Sequence, residues 1–143
     1  MNIGLMGIGA VMALSAAGSA LGAGSAGMSA IGAWKKCFLQ NKPAPFLLTA
    51  FVGAPLTQTI YGFILMNALR TAMDKMDPWV IFGAGVFGGF AMGMSAWFQG
   101  KAGASASDAF AETGKGFGNY ILVLGIIETV ALFVMVFLLG IIG

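Results

Sequence analysis

Apolar and polar positions in this chain fall into long blocks. Four stretches, about 3–34, 46–69, 79–100 and 116–142, hold a single charged side chain between them, Glu128. As helices rising 1.5 Å per residue, each is long enough to cross a hydrocarbon core of roughly 30 Å. The separators carry turn chemistry and charge. Lys35-Lys36 and Lys42-Pro43-Ala44-Pro45 part the first two stretches. Arg70 to Pro78, with Asp74, Lys75 and Asp77, parts the second and third. Lys101 to Lys115, with Asp108 and Glu112, parts the last two. The pattern predicts an all-α membrane protein with four transmembrane helices.

Composition agrees. The chain is 59% apolar and 8% charged, whereas soluble domains run near a quarter charged. Its mean hydropathy is +0.92. The net charge of +2 is too small, and too scattered, to imply a nucleic-acid partner. With no His there is no imidazole site. The single Cys37 forms no internal disulfide and no zinc site, and reads as structural. Residues 3–33 run uncharged far beyond the apolar core of a signal peptide, so this segment is expected to be a retained first membrane helix.

Basic residues set the expected orientation. The first and third joins hold Lys35, Lys36, Lys42, Lys101 and Lys115, against Arg70 and Lys75 in the second. The excess puts joins 1–2 and 3–4 in the cytoplasm and both termini outside, in a multi-pass cell-membrane protein.

The halves resemble each other. Met28-Ser29-Ala30 recurs as Met94-Ser95-Ala96; at the same offset Gly22 falls on Gly88 and Gly27 on Gly93. In the second helix of each half, Gln58-Thr59 falls on Glu128-Thr129. Residues 1–73 and 74–143 are therefore read as a duplicated helical hairpin, only the second of which carries the carboxylate. The first helix of each half is rich in glycine. Gly18 and Gly22 make one small-residue ridge, and Gly85, Gly89 and Gly93 another. Such ridges let helix backbones approach closely in lipid. Helices 1 and 3 are expected to pack tightly, as on the inner wall of a narrow ring. Helices 2 and 4, with Phe46, Phe51, Phe63, Phe133 and Phe137, are expected to face lipid.

A carboxylate near a bilayer centre costs several kcal/mol unless paired, protonated or metal-bound. Thr57, Gln58, Tyr61 and Gln99 are the polar side chains available to Glu128. Thr57 and Tyr61, and Gln58 and Tyr61, are spaced to share one face of helix 2. Pro55 leaves the Phe51 carbonyl without its usual partner and kinks the helix. Counting from turns near residues 113 and 43–45 puts Gln58, Gln99 and Glu128 at one depth, provided helix 3 continues past Lys101. One carboxylate, two amide oxygens and a hydroxyl are hard ligands with one negative charge. They suit a monovalent cation better than Ca²⁺ or Zn²⁺; a proton alone would need only Glu128.

The pattern Pro55-Leu56-Thr57-Gln58-Thr59-Ile60-Tyr61-Gly62-Phe63, then Phe98-Gln99-Gly100-Lys101, then Glu128-Thr129 resembles the proteolipid rotor subunit of bacterial V-type rotary ATPases. The sodium-pumping kind is the nearest in pattern. The resemblance implies a ring of identical four-helix copies turning against a membrane stator that carries an Arg, with central-stalk subunits at the cytoplasmic loops and lipid around it. It implies Na⁺ bound by Glu128, Gln99, Gln58, Thr57 and the Ala54 carbonyl, with Tyr61 hydrogen-bonded to Glu128. Where the family commonly reads Leu-Pro-Gly-Thr-Gln, this chain reads Ala54-Pro55-Leu56-Thr57-Gln58. Gln58 stands where a second carboxylate would be, so one ion per subunit is expected. The chain has no G-x-x-x-x-G-K-[ST] phosphate loop, so ATP would be hydrolysed by other subunits. Three other readings of the residues stay open: the same rotor carrying H⁺, a small four-helix ion-coupled exporter, and a structural membrane protein with a permanently protonated Glu128.

Overall fold

The computed structural model describes residues 2–143. Five α-helices follow in order: α1 (Ile3–Leu39), α2 (Leu48–Gly53), α3 (Thr57–Thr71), α4 (Pro78–Thr113) and α5 (Phe117–Ile142). A single 3₁₀ turn, Ala54–Leu56, joins α2 to α3, so the pair makes one broken span, Leu48–Thr71. Pro55 sits in that turn, where its missing N–H interrupts the α-helical ladder. The four spans are long and apolar enough to cross a membrane.

Helix ends are set by local chemistry. The Asn2 side chain accepts from the Gly4 N–H at 3.0 Å and starts α1. Asp77 does the same for α4 through the Trp79 N–H at 2.7 Å, with Pro78 at the first helical position. Gly114 and Gly116, both with positive φ, make the tight turn from α4 into α5. The Trp34 indole donates to the Pro45 carbonyl at 2.8 Å and ties the first turn back to α1.

Two spans are longer than their apolar stretches. α1 continues through Lys35-Lys36 to Leu39, and α4 continues through Lys101 and Asp108 to Thr113. Most of the segment 101–115 is therefore helix and not a connection. At 37 and 36 residues, α1 and α4 rise about 55 Å each, well beyond the hydrocarbon core. Past it they are joined by Lys36, which pairs with Glu112 at 2.6 Å and Asp108 at 3.8 Å.

α1 and α4 run parallel and in close contact. Gly85 abuts Gly7, Gly93 abuts Gly18, and Gly100 abuts Gly22. A Cβ at any of these would run into backbone of the other helix. These are the ridges expected from the sequence, with Gly7 and Gly100 added to them.

Two apolar cores lie along the bundle. One, near the termini, gathers Val11, Leu65, Leu69, Ile81, Met92, Ala131 and Met135. The other, toward the two tight turns, gathers Ala30, Ala33, Leu48, Phe51, Ala106, Phe110 and Leu124. Phe51 departs from expectation. Phe46, Phe63, Phe133 and Phe137 are exposed, but Phe51 is fully buried. Its ring meets Phe117 at 5.3 Å, Tyr120 at 6.2 Å and Phe110 at 6.4 Å. Pro55 breaks the helical ladder one turn later, and the Phe51 carbonyl turns toward α4. There a Cβ at Gly103 would lie only 2.8 Å from it.

Candidate functional site

Between the two cores runs a belt of polar side chains drawn from α3, α4 and α5. The 3₁₀ turn delivers its first members. Thr57 Oγ1 lies 3.0 Å from the Ala54 carbonyl oxygen and 3.1 Å from Gln58 Oε1, so three oxygens converge where α3 begins. Gln58, fully buried, donates through Nε2 to Gln99 Oε1 at 2.8 Å.

Gln99, also fully buried, crosses to α5. Its Nε2 donates to the Leu124 carbonyl at 3.0 Å and to Glu128 Oε2 at 3.1 Å. The other carboxylate oxygen, Oε1, accepts from the Tyr61 hydroxyl at 2.7 Å. Each oxygen of Glu128 thus has its own donor, an arrangement that suits an ionised carboxylate. All six residues singled out in the sequence, Ala54, Thr57, Gln58, Tyr61, Gln99 and Glu128, belong to this one connected network.

A seventh residue joins them. Ser95 Oγ donates to the Ile127 carbonyl at 2.8 Å and accepts from Gln58 Nε2 at 3.4 Å. It lies one helical turn before Gln99 on the same face of α4. Sequence reasoning places Ser95 in the repeated Met-Ser-Ala triplet but not in the site. The signal for its role is the four-residue spacing from Gln99.

Burial varies along the belt. Gln58, Ser95 and Gln99 are buried, while Glu128, Thr57 and Tyr61 are half-buried. Leu56 and Ile60 on the Ala54–Thr71 segment and Ile126 and Val130 on α5 are exposed. Glu128 is thus half-buried on helices whose other exposed side chains are largely apolar. Among the described residues no cation pairs with it, and no three His, Cys, Asp or Glu residues cluster as a metal site. The available chemistry is one carboxylate surrounded by neutral oxygen donors.

Fold and site define a class: a four-span helical membrane proteolipid with a single intramembrane carboxylate held by amides and hydroxyls. Residues 82–141, which include Gln99 and Glu128, match the family of ATP synthase C subunits. Over 132 residues the chain is 31% identical to the A-type ATP synthase subunit K of Methanocaldococcus jannaschii, an alignment covering 92% of this chain. The chain spans 57% of that relative's length. Over these stretches the chain is similar to ATP synthase proteolipids of the C and K kind.

Proposed function

We propose that this chain is a rotor proteolipid of an A/V-type rotary ATPase and that Glu128 carries Na⁺ across the membrane. One observation bears most of the weight. The lone intramembrane carboxylate ends a continuous line of oxygen-bearing groups, from the Ala54 carbonyl through Thr57, Gln58 and Gln99, lying between two apolar cores. One negative charge balances a monovalent ion, and the neutral oxygens replace its hydration shell. The Gln58 and Gln99 amides donate their nitrogens here; with a cation present each turns its oxygen inward, a change of amide orientation without change of shape.

In this reading several copies form a ring with α1 and α4 on the inner wall and α3 and α5 outside. The halves descend from one hairpin, 1–73 and 74–143. The repeat-equivalent serines have diverged in partner: Ser29 bonds to the Ala104 carbonyl on α4, and Ser95 to the Ile127 carbonyl on α5. An occupied site is neutral and faces lipid cheaply. An empty Glu128 does not, and a stator Arg compensates it between two half-channels. Moving one charge across 100 mV takes about 2.3 kcal/mol, which ATP hydrolysis in other subunits supplies through a central stalk at the cytoplasmic turns. Both termini lie outside the cell membrane, by the basic-residue excess in joins 1–2 and 3–4.

Carbodiimide labelling of Glu128 tests the choice of ion. Protection by Na⁺ at neutral pH, absent with K⁺, supports the sodium site. Labelling that responds to pH alone transfers the same rotor to H⁺.

A further inference from the structure

One buried polar group stands outside the network. Among the described residues, Ser19 Oγ is the buried side-chain oxygen or nitrogen with no hydrogen-bond partner. The residue is 2% exposed. A buried hydroxyl without a partner costs free energy and calls for an explanation. Serines inside helices commonly bond the carbonyl one turn back, as Ser15 does to Val11 and Ser107 to Gly103. Ser19 does not.

Packing on two sides fixes its height. α1 runs antiparallel to α3: Ser15 abuts Gly62, and Gly22 abuts Pro55. Ser19 lies between Ser15 and Gly22 among the buried residues of α1. It is therefore level with the middle of the stretch from Pro55 to Gly62, where Gln58 sits. α4 gives the same height. Gly18 abuts Gly93 and Gly22 abuts Ala96. These contacts bracket Ser95, whose Oγ lies 3.4 Å from Gln58 Nε2.

Gln58 has a use for a free acceptor at this level. Its Nε2 donates to Gln99 Oε1 and Ser95 Oγ, and its Oε1 accepts from Thr57. When the Gln58 oxygen turns toward a cation, Nε2 leaves both acceptors and moves to the side of Thr57. Thr57 Oγ1 is then engaged with the cation, and both N–H donors of a buried amide need acceptors. Ser19 Oγ has uncommitted lone pairs at that height. Its own hydrogen can go to the Ser15 carbonyl, the bond one turn back that Ser15 itself makes to Val11.

From this accounting we infer that Ser19 is a positioning residue for the ion site. Its hydroxyl accepts from the Gln58 amide nitrogen and so holds the Gln58 oxygen on the cation. It acts through Gln58, not on the ion. The inference rests on the reading that the polar belt binds a cation.

The test separates ion affinity from stability. The Ser19 hydroxyl has no partner while the Gln58 nitrogen faces Gln99, so its removal should not weaken the fold. Ser19→Ala should melt no lower than wild type in Na⁺-free buffer, yet bind ²²Na⁺ about tenfold more weakly, the effect of one unpaired buried donor. Ser15→Ala, one turn away with its hydroxyl already bonded, should show the reverse: a lower melting point and an unchanged isotherm. A Ser19→Ala isotherm that superimposes on wild type would overturn the role of Ser19 and leave the ion site standing. So would weaker binding accompanied by a lower Na⁺-free melting point. Absence of binding by the wild type would overturn the site itself and this inference with it.

Discussion

The Tyr61 hydroxyl donates to Glu128 Oε1 at 2.7 Å, joining α3 to α5 at the half-buried end of the polar belt. This bond fixes the carboxylate with its second oxygen toward Gln99. A hydrogen bond to a charged group contributes about 1.5–3 kcal/mol. Tyr61→Phe keeps the ring and removes the donor, so Na⁺ affinity should fall about tenfold or more with helix content unchanged. A binding isotherm indistinguishable from wild type would remove Tyr61 from the site.

Gln99 and Ser95 share a face of α4 but should differ in effect. Gln99→Ala takes the donor from Glu128 Oε2 and the acceptor from Gln58 Nε2. Leaving a buried polar group unpaired costs about 1–3 kcal/mol, so both ion affinity and thermal stability should drop. Ser95→Ala removes the weaker contact to Gln58 and the bond to the Ile127 carbonyl. It should cost about 1 kcal/mol of stability and leave affinity nearly intact. Parallel melting and ion titration of the two variants would check the split.

The glycine seam makes a sharper contrast. At Gly18 an added methyl would meet the Gly93 backbone, whereas at Gly125 it would meet nothing. Gly18→Ala should destabilise by about 1–3 kcal/mol, the usual cost of overpacking. Gly125→Ala should be neutral or slightly stabilising, since alanine is the better helix former. Thermal unfolding in one detergent would rank them, and equal melting points would contradict the packing of α1 on α4.

Phe51 and Phe63 belong to the same broken span but face differently. Phe51 is fully buried among aromatic rings, and Phe63 is half exposed. Phe51→Ala should cost about 3–5 kcal/mol, as for other buried aromatics. Phe63→Ala should be nearly silent in the same unfolding measurement.

Much of this architecture is readable from the chain. The uncharged blocks give four spans because lipid tolerates so few charges, and Gln58, Gln99 and Glu128 fall at one depth by counting helical rise. The count holds because α4 does continue past Lys101 to Thr113. Phe51 escapes such a reading because apolar periodicity in a membrane helix does not distinguish a lipid-facing ring from a buried one. Which way it faces follows from the 3₁₀ turn at Ala54–Leu56, whose geometry Pro55 announces but does not specify. Ser95 escapes it because serine in a membrane helix usually bonds its own helix, as Ser15 does to the Val11 carbonyl at 2.7 Å. Only packing brings Ser95 against Ile127 on α5.

The proposed mechanism turns on Glu128 binding the transported cation. ²²Na⁺ binding to the purified wild-type protein and to Glu128→Gln, at neutral pH in the same detergent, addresses this most directly. Saturable binding approaching one ion per chain in the wild type, lost in Glu128→Gln, is the predicted result. Equal binding by both proteins, or none by the wild type, would contradict it.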